Sequence, residues 1–215
     1  VSERASADHG AAALNITAAD ITAVLLCGGE GRRMGGADKP LLPFRGRPLV
    51  EHVLHGLAGS VAQVLLVANR SLDAYRHIAS CRLAFEPCTV ISDTEPGLGP
   101  LAGMAAAAPY LRSPWAFVCA GDVPFVSVEL VQRLAAHQTA RTDAPRVAHD
   151  GERRQPLFAL IPRAVMCNAA DALQHAASRS VAGWLAAHGA ESVPAGDLAD
   201  QMLSIDEPSQ LRHLG

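Results

Sequence analysis

Apolar and polar positions along the chain fall into two alternating rhythms. Short apolar runs occur at residues 23–27, 61–68 (interrupted once, by Gln63) and 115–120, each ending abruptly at Gly or Asn. Runs of this length bounded by turn residues read as buried strands. Between them the apolar residues recur at helical spacing. Leu49, Val50, Val53, Leu54 and Leu57 share one face, with Glu51, His52 and His55 opposite. Pro48 suits the first turn of that helix. Further helices are expected at 72–79, 101–108 and 128–137, the last with Ser127 as N-cap. Gly103 would let the small-residue helix 101–108 approach its neighbour closely. A third strand, 83–91, is interrupted near Pro87.

Strands alternating with helices imply an α/β fold: a three-layer open, mostly parallel sheet with right-handed crossovers and helices on both faces. Beyond residue 140 two strands, 145–150 and 155–160, flank the turn Asp150-Gly151-Glu152. Helices at 163–177 and 181–188, edge strands at 191–194 and 202–205 and a closing helix at 207–214 complete the reading. Residues 1–20, Ala-rich but broken by Glu3, Arg4, Asp8 and His9, read as a flexible extension. Residues 21–215 then form one domain in two halves, 21–140 and 141–215.

Composition narrows the classes of function. The 215-residue chain is 49% apolar and carries a net charge of −3, so it has no basic footprint for nucleic acid or an anionic membrane. No apolar run approaches the ~18 residues of a membrane helix. The five cysteines are scattered without a Cys-x-x-Cys pair, which argues against zinc and a disulfide framework and for a reducing cytoplasm.

The chemistry concentrates in residues 21–43. The first strand stops at Gly28-Gly29, and the loop behind it holds Gly31, Arg32, Arg33, Gly35, Gly36 and Lys39. Glycines after a strand let backbone amides approach an anion, and three cations sit where a phosphate chain would lie. A Walker-type loop is excluded because Gly31-x4-Gly36 is followed by Ala37, and Lys39 by Pro40. A dinucleotide loop is excluded because Gly29-x-Gly31-x-x ends at Met34. At later strand ends stand Asn69, Asp93 and Gly121-Asp122. In open parallel sheets ligands collect at the carboxyl ends of the strands, so four segments converge on one rim. A carboxylate such as Asp122, beside a cationic phosphate loop, is where Mg²⁺ is expected. Nucleotidyl transfer follows: an ionised phosphate attacks an α-phosphorus without a general base, and Lys39, Arg33 and an Asp122-held metal neutralise charge. His52 and His55, at i and i+3, lack a convergent carboxylate and read as a solvated face.

The run Leu26-Cys27-Gly28-Gly29-x-Gly31-Arg32-Arg33-Met34-Gly35-Gly36-x-Asp38-Lys39-Pro40 resembles the N-terminal signature of the molybdenum cofactor guanylyltransferases. The likeness continues through Gly46-Arg47-Pro48, Ala68-Asn69-Arg70, Ile91-Ser92-Asp93, Gly99-Pro100-Leu101-Ala102-Gly103, Cys119-Ala120-Gly121-Asp122 and Gln155-Pro156-Leu157. The resemblance implies transfer of GMP from GTP to the phosphate of molybdenum-bearing molybdopterin, with Mg²⁺ required. It maps GTP binding onto Leu26, Cys27, Gly28, Gly29 and Lys39, places Asp93 by the nucleotide and assigns the metal to Asp122. Molybdoenzyme apoproteins or their chaperones would receive the product. The sister cytidylyltransferases typically read Leu-Ala-Ala-Gly at the first turn, so Gly28 favours guanine. Two departures stand out: Cys27 replaces the usual Ala, and Ser204-Ile205-Asp206-Glu207-Pro208 stands where many members read Asn-x-Asn-Thr-Pro, on the side assigned to the pterin. Arg153, Arg154 and Gln155 are the other candidates there. The alternatives are a molybdopterin cytidylyltransferase, a sugar-phosphate nucleotidyltransferase, or a non-catalytic nucleotide-binding regulator or cofactor-delivery protein.

Overall fold

The computed structural model describes residues 15–28, 37–81, 87–92, 97–139, 141–175 and 180–206. In chain order the elements are β1 (Ile21–Leu26), β2 (Pro43–Phe44), β3 (Arg47–Pro48), α1 (Leu49–Gly56), β4 (Gln63–Ala68), α2 (Leu72–Ser80) and β5 (Cys88–Ser92). They continue with α3 (Pro100–Ala107), β6 (Trp115–Ala120), α4 (Val128–Ala136), β7 (Arg146–His149), β8 (Arg154–Pro162), α5 (Arg163–Met166), α6 (Ala169–His175), α7 (Val181–Ala187) and β9 (Glu191–Pro194).

Among the described residues, seven strands form one sheet in the order β5-β4-β1-β6-β8-β7-β9. The first four of that order are mutually parallel, and β8 runs antiparallel to both of its neighbours. All six residues of β1 are buried, as a central strand covered on both faces requires. Its side chains divide by parity. Ile21, Ala23 and Leu25 pack with Val50, Val53 and Leu54 of α1, Tyr75 of α2 and Leu130 of α4. Val24 and Leu26 pack with Leu101 and Met104 of α3 and Trp184 of α7. The expected three layers are therefore present. Among the described residues no helix is long and apolar enough to cross a membrane.

Local signals explain several boundaries. Ser127 caps α4, its Oγ accepting from Glu129 N at 3.2 Å. At the other end of α4, fully buried Arg146 reaches from β7 and donates from Nη1 to the carbonyls of Leu134 and Ala135, at 3.1 and 2.7 Å. The last helical carbonyls thus meet a cation, which also complements the helix dipole. Gly103 fulfils its expectation: a Cβ there would stand 3.0 Å from Leu26 Cδ2.

Two expectations are corrected. The single helix at 163–177 is two, α5 and α6, because Asn168 starts a new helix, its carbonyl accepting from Ala172 N at 3.1 Å. The strand at 202–205 does not form. Met202 ends a 3-10 stretch, and the tail then crosses the strand ends, with Ile205 buried against Phe44 and Leu49. The first part of the expected third strand and the closing helix at 207–214 lie outside the described residues.

Candidate active site

The parallel strands β1, β4 and β6 finish at one rim. Beyond their last ladder positions Cys27 N still donates to Val67 O at 2.8 Å, and Gly121 N to Leu26 O at 2.9 Å. These bonds bring Gly28, Asn69 and Asp122 to the same edge. A Cβ on Gly28 would stand 3.6 Å from the Asn69 side-chain nitrogen. At Gly121 a Cβ would lie 2.7 Å from Cys27 Sγ and 3.2 Å from Pro40 Cβ, so only Gly lets the segment after the loop pack down here.

That packing carries Lys39 to Asp122. Lys39 Nζ stands 2.6 Å from Asp122 Oδ2, each side chain 17% exposed. The same ammonium pairs with Asp206 Oδ1. Ser204 Oγ donates to the other Asp206 oxygen at 2.8 Å, and Ile205 N donates to Asp122 O at 3.2 Å. Burial works to lower the Lys39 pKa, but hydrogen bonds and charges from Asp122 and Asp206 carry it above its ordinary value. The lysine is therefore a fixed cation.

The two residues before Lys39 are clamped from α2 and from the end of β4. Tyr75, buried, donates from its hydroxyl to Asp38 Oδ1 at 2.9 Å. Arg70 Nη2 donates to Ala37 O at 2.9 Å, and Arg70 Nε lies 3.8 Å from Asp38 Oδ2. Burial, with Cys27 and the Asp38 carboxylate close by, pushes the Tyr75 pKa up, so the phenol remains a donor.

Of the residues the sequence singled out, Leu26, Cys27, Gly28, Lys39 and Asp122 meet at this rim. Gly29, Arg33 and Asp93 lie outside the described residues. Cys27 is buried and its thiol pKa is raised well above the ordinary value by burial, so it packs as a small apolar group. His52 and His55 diverge, one ring to Phe44 O at 2.7 Å and the other to Arg47 at 2.9 Å. Gln155 pairs with Asp150, while Arg153 and Arg154 are exposed. Sequence reasoning gave Tyr75 no role, named Arg70 only within the Ala68-Asn69-Arg70 motif, and did not foresee the pairing of Asp206 with Lys39.

A family model described as a MobA-like NTP transferase domain matches residues 23–192. The chain belongs to this family. It is 37% identical over 188 residues to a molybdenum cofactor guanylyltransferase of Cupriavidus metallidurans, covering 84% of this chain and 87% of that one. A protein of the same name from Shewanella amazonensis is 33% identical over 195 residues, covering 90% and 95%. Among solved structures, molybdopterin-guanine dinucleotide biosynthesis protein A of Archaeoglobus fulgidus superposes with a TM-score of 0.68 at 24% identity, covering 90% of this chain and 95% of the other. At 11% identity, 4-diphosphocytidyl-2C-methyl-D-erythritol synthase of Anaerococcus prevotii gives a TM-score of 0.71 over 91% and 94%. The structural likenesses establish the nucleotidyltransferase fold.

The MobA-like assignment gives the rim a chemical test for a metal. Asp122 Oδ1 is buried without a hydrogen-bond partner among the described residues, while Oδ2 is taken by Lys39. No group of three or more His, Cys, Asp or Glu that could hold a metal occurs among the described residues. A lone carboxylate oxygen beside a cation suits Mg²⁺, which takes one or two carboxylates and completes its shell with substrate phosphates and water. The donor set fits that ion.

Proposed function

We propose that the chain transfers GMP from GTP to the phosphate of molybdenum-bearing molybdopterin, releasing pyrophosphate. The observation that carries the reading is the Lys39–Asp122 pair, a fixed cation and a part-buried carboxylate with one oxygen unpartnered among the described residues, set at strand ends beside Gly28 and Asn69. The family's named guanylyltransferases support the choice of nucleotide and acceptor.

In the reaction an acceptor phosphate oxygen forms a bond to the α-phosphorus, and the bond from that phosphorus to the bridging oxygen of the β-phosphate breaks. Pyrophosphate leaves with the electron pair. The attacking oxygen is already ionised, so no residue needs to remove its proton, and the chain's task is orientation and charge neutralisation. Lys39 provides the permanent positive charge for the phosphate chain. Gly28, with no side chain, leaves space beside a purine, and Asn69 lines that space. Arg70 and Tyr75 hold residues 37–38, and so hold Lys39 in place. Asp122 would bind Mg²⁺ through Oδ1, and the ion, when bound, would neutralise charge on the phosphates.

Arg33 and Asp93 belong to the same reading, Arg33 on the phosphates and Asp93 by the nucleotide. Handover to a molybdoenzyme apoprotein or its chaperone would consume the product. All five cysteines are free thiols, the state a reducing cytoplasm maintains, and the reading assigns the enzyme to that compartment.

The experiment supplies purified protein with molybdopterin carrying molybdenum, Mg²⁺ and either GTP or CTP, and follows pyrophosphate. Release is expected with GTP. Release with CTP alone would overturn the guanine assignment, and nucleotide binding without turnover would return the chain to the non-catalytic class.

A further inference from the structure

Among the described residues Lys39 is the cation at the centre of this rim, yet in the free protein two carboxylates already share it. They are not equivalent. Asp122 stands two residues beyond the end of β6 and has a side chain only 17% exposed, whereas the Asp206 side chain is 50% exposed on the crossing tail. An arriving anion meets the exposed partner first, and a carboxylate displaced from there returns to water at little desolvation cost. The chain is anchored at Ile205. Ile205 is 1% exposed, packs with Phe44 and Leu49, and donates from its amide to Asp122 O at 3.2 Å. Asp206 can thus leave Lys39 by a side-chain movement and return when the ligand leaves, as a tethered group at high effective concentration.

We propose that Asp206 is an internal competitor for the nucleotide: its carboxylate holds, in the free protein, the Lys39 ammonium that a phosphate chain takes over on binding. The proposal rests on the nucleotide site described above and concerns what guards it. Counting the described residues alone, Asp122 and Asp206 leave one excess negative charge around Lys39. A bare polyphosphate must displace one carboxylate and overcome that charge. Ser204, whose hydroxyl donates to Asp206 at 2.8 Å, holds the competitor in its resting position.

The test compares the full chain with Asp206→Asn, which preserves shape and removes the charge. Binding of GTP and of inorganic tripolyphosphate is measured by calorimetry in EDTA. Ionic strength is set at about 0.01 M and about 1 M, between which the screening length falls from ~30 Å to ~3 Å. At low salt the variant is expected to bind both anions about 2- to 5-fold tighter, the scale of a half-exposed ion pair, and the advantage is expected to disappear at high salt. A crystal structure of the GTP complex is expected to show a phosphate oxygen on Lys39 Nζ with Asp206 turned away. Equal or weaker binding by the variant, or Asp206 still on Lys39 in the complex, overturns the proposal. Tighter tripolyphosphate binding with GTP bound by neither protein upholds the competitor and removes the guanine reading instead. Binding of neither anion to either protein overturns both.

Discussion

The hydroxyl of Tyr75 donates to Asp38 at 2.9 Å, joining the interior of α2 to the residue that precedes Lys39. Asp38 is 92% buried at its side chain, at 8% exposure, so this bond is made away from water and holds the peptide that aims the lysine. Tyr75→Phe keeps the ring and removes only the donor. It is expected to lower unfolding free energy by about 1–2 kcal/mol and to reduce kcat by about tenfold with a smaller change in KM. Urea unfolding and steady-state pyrophosphate release check the two parts. Tyr110→Phe, at a residue 53% exposed, serves as the control and should change neither. Wild-type kcat in Tyr75→Phe would remove Tyr75 from the positioning of Lys39.

Gly28 permits a clean separation of fold from specificity. Among the described residues, the nearest atoms to an added Cβ belong to the Asn69 side chain, at 3.6 to 3.9 Å, which is ordinary contact. Gly28→Ala is therefore expected to keep its stability within about 0.5 kcal/mol. The same methyl group would project into the space assigned to the base. The ratio of kcat/KM for GTP over CTP is expected to fall about tenfold, the scale for one carbon in a shaped site. An unchanged ratio would mean that the choice of base lies elsewhere.

Elements governed by local pattern were legible in the sequence. The strand 115–120 is observed with the same bounds as β6, because its six apolar residues stop at Gly121-Asp122. The meeting of Cys27-Gly28, Asn69 and Asp122 followed from the parallel sheet, since parallel strands place their ends together. Lys39–Asp122 followed only as a juxtaposition of charges. Lys39–Asp206 did not follow at all: the partners are 167 residues apart, and an ion pair at that separation leaves no periodic trace. Tyr75 was hidden for a different reason. In a short helix a buried tyrosine reads as core, and its hydroxyl acquires meaning only when Asp38 is seen beside it. The helix break at Asn168 was present as an N-cap residue, outweighed by the helix-forming residues around it.

Arg146 supplies a stability test separate from the rim. Its side chain is buried, bonded to the carbonyls of Leu134 and Ala135, with the guanidinium carbon 5.0 Å from the Trp115 ring centre. Arg146→Met keeps much of the volume but leaves both carbonyls without this donor. A loss of about 2–4 kcal/mol in urea unfolding is expected, from charge-assisted hydrogen bonds and the helix-end charge together. A loss below about 0.5 kcal/mol would show that the α4 terminus is satisfied without Arg146.

Asp122 distinguishes a site that only binds nucleotide from one that turns it over. In the proposed reaction, binding would draw chiefly on Lys39, and Lys39 retains Asp206 as a partner when Asp122 is removed. Turnover needs charge neutralised at the phosphates during bond exchange, where each well-placed group contributes most. Asp122→Ala is accordingly expected to lower pyrophosphate release by about 10²- to 10³-fold. Its affinity for GTP in EDTA should change by less than about tenfold, because removing a carboxylate from the rim offsets the looser hold on Lys39. Mn²⁺ binding in the presence of GTP, followed by electron paramagnetic resonance, gives the independent readout. The ternary signal should weaken in the variant if the open Oδ1 holds the ion. An unchanged Mn²⁺ signal with lost turnover would leave Asp122 the role of positioning Lys39 alone.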